Sequence, residues 1–178
     1  SEHGRIAEIR HKWRFDERYS TMAIQGQDAD GDGKYTREEL NALAELNVTS
    51  LSEYAFFTYL DTDLVNATYK AAKDYWLDYE DGKLVLHFTL PLELPFDPQA
   101  DGVEFAVYDQ TYFVSFSFAA SNPVRLSGDA SRNCAIDIKK PEQPAQVADS
   151  QKPEDYWVNF GMGEEFAETV YIRCEKSN

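Results

Sequence analysis

Twelve residues near the start of the chain carry the chemistry of a calcium-binding loop. Asp28, Asp30 and Asp32 stand at the first, third and fifth positions of this segment, and Glu39 stands at the twelfth. Ca²⁺ is a hard ion that takes about seven oxygen ligands at ~2.3–2.6 Å, and the EF-hand loop supplies carboxylates at this spacing. Gly33, at the sixth position, allows the sharp turn of such a loop. The pattern therefore predicts an EF-hand loop, against the alternative of a solvated acidic turn between two helices.

The other ligand positions of the loop also suit calcium. Lys34, at position seven, is expected to offer its backbone carbonyl, so that its ammonium group can point away from the ion. Thr36, at position nine, is expected to coordinate directly or through a water molecule. The sequence has no second loop of this kind, because the similar start over 61–64 continues with neither the glycine nor the glutamate. A lone hand must lean on its host domain, and we expect an affinity in the roughly 10⁻⁵–10⁻³ M range.

Helix signals lie on both sides of the loop. Asp16 is a good N-cap for a helix over 17–27, and Thr36 and Glu39 have the spacing of a capping box that starts a second helix. The second helix is expected to carry Leu40, Leu43 and Leu46. Residues 17–54 are therefore predicted to form an EF-hand helix-loop-helix insertion near the N-terminus.

The rest of the chain follows the two-residue period of β-strands. A strand over 9–15 alternates apolar and basic residues, Asp81-Gly82 supplies a hairpin turn, and the prolines at 91, 95 and 98 are expected to end the strand that follows. The strands predicted after the insertion are 75–79, 84–90, 103–108, 112–118, 124–126, 135–139 and 169–174. We expect a mainly β fold with an α insertion, namely an antiparallel β-sandwich-like single domain over 1–178.

Two cysteines favour an exported protein. Cys134 and Cys174 lack the close spacing of a metal or redox pair, and each lies beside a short β-like run. Two inward cysteines on neighbouring strands would form a disulfide, which is typical of exported proteins. The alternative is a pair of buried free thiols in a cytosolic protein.

The composition excludes several classes of partner. Acidic residues outnumber basic ones 32 to 17, and the formal charge of −15 repels phosphate backbones and anionic lipid headgroups. No apolar run approaches the roughly 20 residues that a membrane-spanning helix needs. We therefore expect neither nucleic-acid binding nor membrane insertion.

Neither the histidines nor any catalytic motif in the sequence indicates an enzyme. His3, His11 and His87 are dispersed, with His11 on the apolar face of its strand and His87 on a face expected to be exposed or at a sheet boundary. Asp78 and Glu80 could do acid–base work, but a chance pair is expected among so many acids. No nucleophile–base pair or phosphate loop is present, so a non-enzymatic protein is predicted.

A set of aromatic residues admits two interpretations. These side chains could form a platform for a sugar or a peptide, although packing in the core is the favoured interpretation. The set comprises Tyr108, Tyr112, Phe113, Phe116, Tyr156 and Trp157.

Several segments together resemble a known bacterial family. They are Trp13-Arg14-Phe15-Asp16-Glu17 with Tyr19-Ser20, the calcium-type loop, Tyr75-Trp76-Leu77, Leu86-His87-Phe88, the tyrosine-rich segment 107–113 and the closing Cys174. They are similar to exported proteins of unknown function that are described as periplasmic components of an uncharacterised ABC-type transport system. Genes of that family often accompany nickel/cobalt-type permeases. The resemblance implies a periplasmic location, a role near metal-ion handling and a membrane metal-ion transporter as partner.

Three functions follow as hypotheses. The leading one is a periplasmic calcium-binding accessory protein linked to metal-ion transport or homeostasis, with Ca²⁺ as its ion. The second is a carrier or solute-binding component for zinc, nickel, cobalt or manganese, built from histidine and carboxylate ligands. The third is a β-sandwich domain that binds peptide or glycan and in which calcium only braces a loop.

Overall fold

The structure is a computed structural model that describes residues 4–62, 64–111, 113–128, 133–141, 164 and 166–175. These residues form two sheets, one with the strand order β1-β4-β3 and one with the order β2-β5-β7-β6. In chain order the elements are β1 (Ile6–Arg14), α1 (Glu17–Ala23), α2 (Asn41–Ser52), a 3₁₀ turn (Ala55–Phe57), β2 (Thr58–Asp61), β3 (Lys73–Glu80), β4 (Lys83–Phe96), β5 (Val103–Val107), β6 (Cys134–Lys139) and β7 (Thr169–Cys174). The chain divides into two compact units.

One unit, residues 7–56 and 68–95, is built on the hairpin of β3 and β4. The two strands pair antiparallel with Glu80 opposite Lys83, so the hairpin predicted from Asp81-Gly82 is confirmed. Both turn residues have positive φ, 51° at Asp81 and 75° at Gly82, as a two-residue hairpin turn of type I′ requires. β1 pairs with β4 and has the predicted alternation, because its basic residues are exposed while His11 is buried.

Two helices of this unit flank the predicted loop. The Asp16 side chain accepts a hydrogen bond from the Tyr19 amide, which confirms it as the N-cap of α1. α1 ends at Ala23 and does not reach residue 27, since the chain turns and Gly26 takes a left-handed φ of 79°. The buried Ser20 hydroxyl donates to the Asp16 carbonyl and accepts from the Leu84 amide, which fixes α1 against β4.

The helix after the loop begins later than expected and turns a different face inward. α2 begins at Asn41. The buried residues of this segment are Leu40, which caps the helix, and Ala44 and Val48 within it, so they are spaced four residues apart. Leu46, which the sequence placed with the apolar stripe, is 63% exposed. The core of the unit joins these helix residues to the inner face of the hairpin. Its buried members are Ile24, Leu40, Ala44, Val48, Phe56, Leu77, Leu84, Leu86, Phe88 and Leu90.

The second unit, residues 1–6, 57–67 and 96–178, contains the four-stranded antiparallel sheet. β5 pairs with both β2 and β7, and β6 pairs with β7. The core of the sheet is lined by Leu60, Val103, Phe105, Val170 and Ile172. The predicted strands 103–108, 135–139 and 169–174 are thus confirmed as β5, β6 and β7, each within about one residue.

Three strand predictions were wrong. β4 runs through Pro91 and Pro95, because the Pro91 carbonyl accepts from the Lys70 amide and the Glu93 amide donates to Thr68, so bonding continues past the proline. Described residues of the segment 112–118 form no strand, and Tyr112 itself lies outside the described residues. Residues 124–126 also form no strand. The fold is mainly β with two sheets and few helices among the described residues, whereas sandwich packing stays a prediction.

Candidate metal centre

The three aspartates of the loop bring their carboxylates together. One oxygen from each of Asp28, Asp30 and Asp32 can be chosen so that all three lie within 4.8 Å of one another. Two ligands that each lie about 2.4 Å from one ion can be at most about 4.8 Å apart, so these distances meet the necessary condition for three ligands that share one Ca²⁺. The side chains of Asp30 and Asp32 are exposed and that of Asp28 is half-buried, which leaves the cluster accessible to an ion from solvent.

Backbone amides hold Asp28 at the centre of the loop. Its Oδ1 accepts from the Gly31 amide at 2.8 Å, and its Oδ2 accepts from the Gly33 amide at 3.0 Å. Both glycines have left-handed φ values, 75° and 78°, which residues with a side chain rarely adopt. The sharp turn predicted at Gly33 is therefore present, and it orients these amides toward the carboxylate.

The next two aspartates are oriented in the same way. Asp30 Oδ1 accepts from the Asp32 amide at 3.1 Å, and Asp32 Oδ1 accepts from the Lys34 amide at 2.8 Å. Each bond closes an Asx turn, in which a side chain accepts from the amide two residues on. Lys34 is exposed, as expected for a residue that would offer only its carbonyl.

Glu39 closes the loop onto itself. Its Oε1 accepts from the Ala29 amide at 2.9 Å, while Oε2 accepts from the amide and the hydroxyl of Thr36, both at 2.8 Å. The Glu39 amide in turn donates to Thr36 Oγ1 at 3.3 Å, which completes the reciprocal capping box. Hydrogen bonds from Thr36 and from Ala29 lower the pKa of Glu39, so the carboxylate is ionised at neutral pH.

The predicted ligands thus fall into two groups. The carboxylate oxygens of Asp28, Asp30 and Asp32 form one cluster. The Glu39 carboxylate instead accepts hydrogen bonds from the backbone amides of Ala29 and Thr36 in the same loop. The oxygen-only donor set of the three aspartates is of the kind that a hard divalent cation such as Ca²⁺ prefers. Their assignment as ligands stays a prediction.

The hairpin contributes a set of contacts that sequence reasoning missed. Arg37, at loop position ten, forms two hydrogen bonds with Asp78 of β3, 2.7 Å from Nε to Oδ1 and 3.1 Å from NH2 to Oδ2. Trp76 and His87 stand opposite each other in the β3–β4 register and stack at 4.5 Å between ring centroids. Strand alternation puts Trp76 and Asp78 on one face, but nothing local in the sequence brings Arg37 to them.

Neither described histidine joins the aspartate cluster. His11 is 8% exposed and accepts a hydrogen bond from the Trp13 indole at Nδ1, and burial lowers its pKa to about 3. His11 is thus buried, as its place on the apolar face of the strand predicts. On β4, His87 points to the face opposite the buried Leu86 and Phe88. Its side chain is nevertheless only 17% exposed, because it stacks on Trp76. His3 lies outside the described residues.

The aromatic set is split across different contacts. Tyr108 stacks on Tyr59 at 4.2 Å, Phe116 lies 5.4 Å from the Phe57 ring, and Phe113 is 91% exposed. Tyr112, Tyr156 and Trp157 lie outside the described residues.

The predicted disulfide is present. Cys134 and Cys174 stand opposite each other at the ends of β6 and β7, and their sulfur atoms are bonded. The bond joins residues that are 40 apart in sequence, within the unit that holds the four-stranded sheet.

Comparison with known proteins identifies the family. Residues 1–174 match the family described as "Protein of unknown function (DUF1007)". The chain belongs to this family. A relative in Spirochaeta aurantia, described as an uncharacterized 15.5 kDa protein in the trpE 3' region, is 28% identical over 103 residues, which is 58% of this chain and 73% of the relative. No solved structure matches the chain significantly. None of the helices in the described part of the chain combines the length and the hydropathy that a membrane-spanning helix needs.

Proposed function

We propose that this chain is a periplasmic calcium-binding accessory protein that serves metal-ion transport or homeostasis and performs no catalysis itself. Asp28, Asp30, Asp32 and Glu39 would hold Ca²⁺ with their carboxylates. Lys34 would add its carbonyl, and Thr36 its hydroxyl. The observation that carries the proposal is the cluster of three aspartate oxygens within 4.8 Å, in a loop whose amides already orient them.

The site is suited to bracing its unit. α1 and α2 flank the loop, and both contribute to the core that they share with the β3–β4 hairpin. A bound ion would lower the repulsion among the loop carboxylates and hold the two helices at a fixed separation. Because binding stabilises the state that binds, an ion present at 100 times its Kd would add about 2.7 kcal/mol to the free energy of unfolding.

Location and partner rest on different observations. The Cys134–Cys174 disulfide is compatible with an oxidising compartment, and the resemblance to exported proteins near nickel/cobalt-type permeases favours the periplasm. Under this proposal the protein works beside a membrane metal-ion transporter. Its charge of −15 favours cations over nucleic acids near its surface.

Metal stoichiometry tests the proposal. Chelator-stripped protein is dialysed against calcium, zinc, nickel, cobalt or manganese, and bound metal is measured by mass spectrometry for wild type, Glu39→Gln and Glu38→Gln. Glu38 is the exposed neighbour of Glu39, so its substitution removes the same charge from loop position eleven, which is no ligand position.

We expect one calcium per chain in wild type and in Glu38→Gln, and a large loss in Glu39→Gln. A stoichiometric transition metal that survives in Glu39→Gln would contradict the proposal and favour the carrier hypothesis.

A further inference from the structure

The loop contacts the host sheet where a paired EF-hand would contact a second hand. Tyr35 occupies loop position eight, the position at which an apolar residue usually packs against the partner loop. Its ring meets the ring of Tyr79 on β3 at 4.9 Å with an edge-on geometry. The loop therefore packs against strand β3 of its own unit.

Arg37 adds a polar contact to the same strand. Its guanidinium faces the Asp78 carboxylate with two parallel N–H···O bonds of 2.7 and 3.1 Å, a fork-to-fork geometry that only arginine can make. The guanidinium carbon also lies 4.9 Å from the centre of the Trp76 ring, within the range of a cation–π contact. Arg37 itself is 58% exposed, so its order depends on these partners.

Asp78 is a fixed anchor. Its side chain is 21% exposed, and the Trp76 indole donates to its Oδ2 at 3.0 Å. His87 Nε2 lies 3.3 Å from the same oxygen without forming a hydrogen bond to it. The His87 ring lies almost parallel to Trp76, at 8°, which holds both rings in place on the hairpin. Burial raises the pKa of Asp78, but hydrogen bonds from Arg37 and Trp76 outweigh burial and keep the net pKa below its usual value.

The sequence position of Arg37 links this anchor to the ion site. Arg37 follows Thr36 directly and precedes Glu39 by two residues, and Thr36 and Glu39 bond to each other through both backbone and side chain. Fixing Arg37 on β3 therefore fixes the backbone from which the position-twelve carboxylate projects. A binding loop that is ordered before its ligand arrives loses less entropy on binding.

We infer that Arg37, which supplies no ligand, is a positioning residue that raises the calcium affinity of the loop through its fork on Asp78. The inference rests on the proposed function of the loop. Strand β3 then does for this lone hand what a second hand does in a pair, with Tyr35 on Tyr79 as the apolar contact and Arg37 on Asp78 as the polar one.

Calcium titration calorimetry on Arg37→Lys, Asp78→Asn and the double variant tests the inference. Arg37→Lys keeps the charge and removes the guanidinium, and with it both the fork on Asp78 and the planar contact with Trp76. Each single change should weaken the Kd for calcium about three- to tenfold, as expected for the loss of one partly exposed bidentate pair. The double variant should bind about as well as either single variant, because both changes break one interaction.

A matched arginine–aspartate pair on the same unit provides the control. Arg14 NH2 lies 3.2 Å from Asp81 Oδ2, and both side chains are exposed. Neither residue belongs to the 28–39 loop. Arg14→Lys and Asp81→Asn should leave the calcium Kd within about twofold of wild type. The unfolding temperature of calcium-free Arg37→Lys should stay within about 2–4 °C of wild type, which separates positioning from general destabilisation.

The outcomes are distinguishable. Wild-type binding with unchanged affinity in all Arg37 and Asp78 variants overturns the inference and leaves the proposed function standing. Weakened binding in Asp78→Asn alone, with Arg37→Lys unchanged, also overturns it, because long-range charge would then be the cause. A wild type that binds no calcium overturns the proposed function and the inference together.

Discussion

Removing the disulfide should destabilise the unit that contains the four-stranded sheet. The change is Cys134→Ala together with Cys174→Ala, which leaves no thiol in the chain. The bond joins residues 40 apart, and the chain-entropy relation gives about 13 cal/mol/K for a loop of this length, or about 4 kcal/mol at 25 °C. This is a large fraction of the roughly 5–15 kcal/mol by which domains are stable.

Urea denaturation at 25 °C in chelator-treated buffer measures the loss, followed by far-ultraviolet circular dichroism. We expect the double variant to unfold at a lower urea concentration, with its free energy of unfolding reduced by about 3–4 kcal/mol. A thiol reductant should shift wild type in the same direction and leave the double variant unchanged. A loss below about 1 kcal/mol would refute the reasoning, since the cross-link would then place little constraint on the unfolded chain.

Two further predictions concern buried polar groups. Burial lowers the pKa of His11 to about 3, so the folded state binds a proton at this site less readily than the unfolded state does. The contribution of the neutral imidazole to the free energy of unfolding is therefore fully present above about pH 6.5. It decreases by up to about 1.4 kcal/mol per pH unit as the pH falls toward 3. Urea midpoints at pH 7.5 and 4.5 should therefore differ less in His11→Phe than in wild type, and an equal difference would count against a buried neutral imidazole. Asp109, 6% exposed, accepts from the amides of Thr111, Phe113 and Val114 and from the Thr111 hydroxyl. Asp109→Ala should cost about 1–3 kcal/mol and speed hydrogen exchange at those three amides, and unchanged exchange would show that these bonds do not order the segment.

Elements governed by local chemistry could be predicted from the sequence. The hairpin follows from alternation on both sides of Asp81-Gly82, and the start of α1 follows from the Asp16 cap. The turn at Gly33 and the capping box of Thr36 and Glu39 are also local, since every bond in them spans a few residues. Such features depend on backbone preferences and on side chains two to five positions apart.

Features decided by tertiary contacts could not be predicted. Arg37 and Asp78 are 41 residues apart, and their pairing depends on how the loop packs on β3. β4 was expected to end at Pro91, yet the carbonyl of that residue still accepts a bond from Lys70, so the strand continues. The segment after β5 has the aromatic alternation of a strand, but Asp109 binds its amides instead.

A calcium isotherm of the chelator-stripped chain tests the central claim most directly. Isothermal titration at 25 °C should give one site per chain with a Kd between about 10⁻⁵ and 10⁻³ M, retained in Glu38→Gln and abolished or weakened at least about tenfold in Glu39→Gln. No binding heat at several millimolar calcium, or equal affinity in wild type and Glu39→Gln, would contradict the assignment of the 28–39 loop as a calcium site.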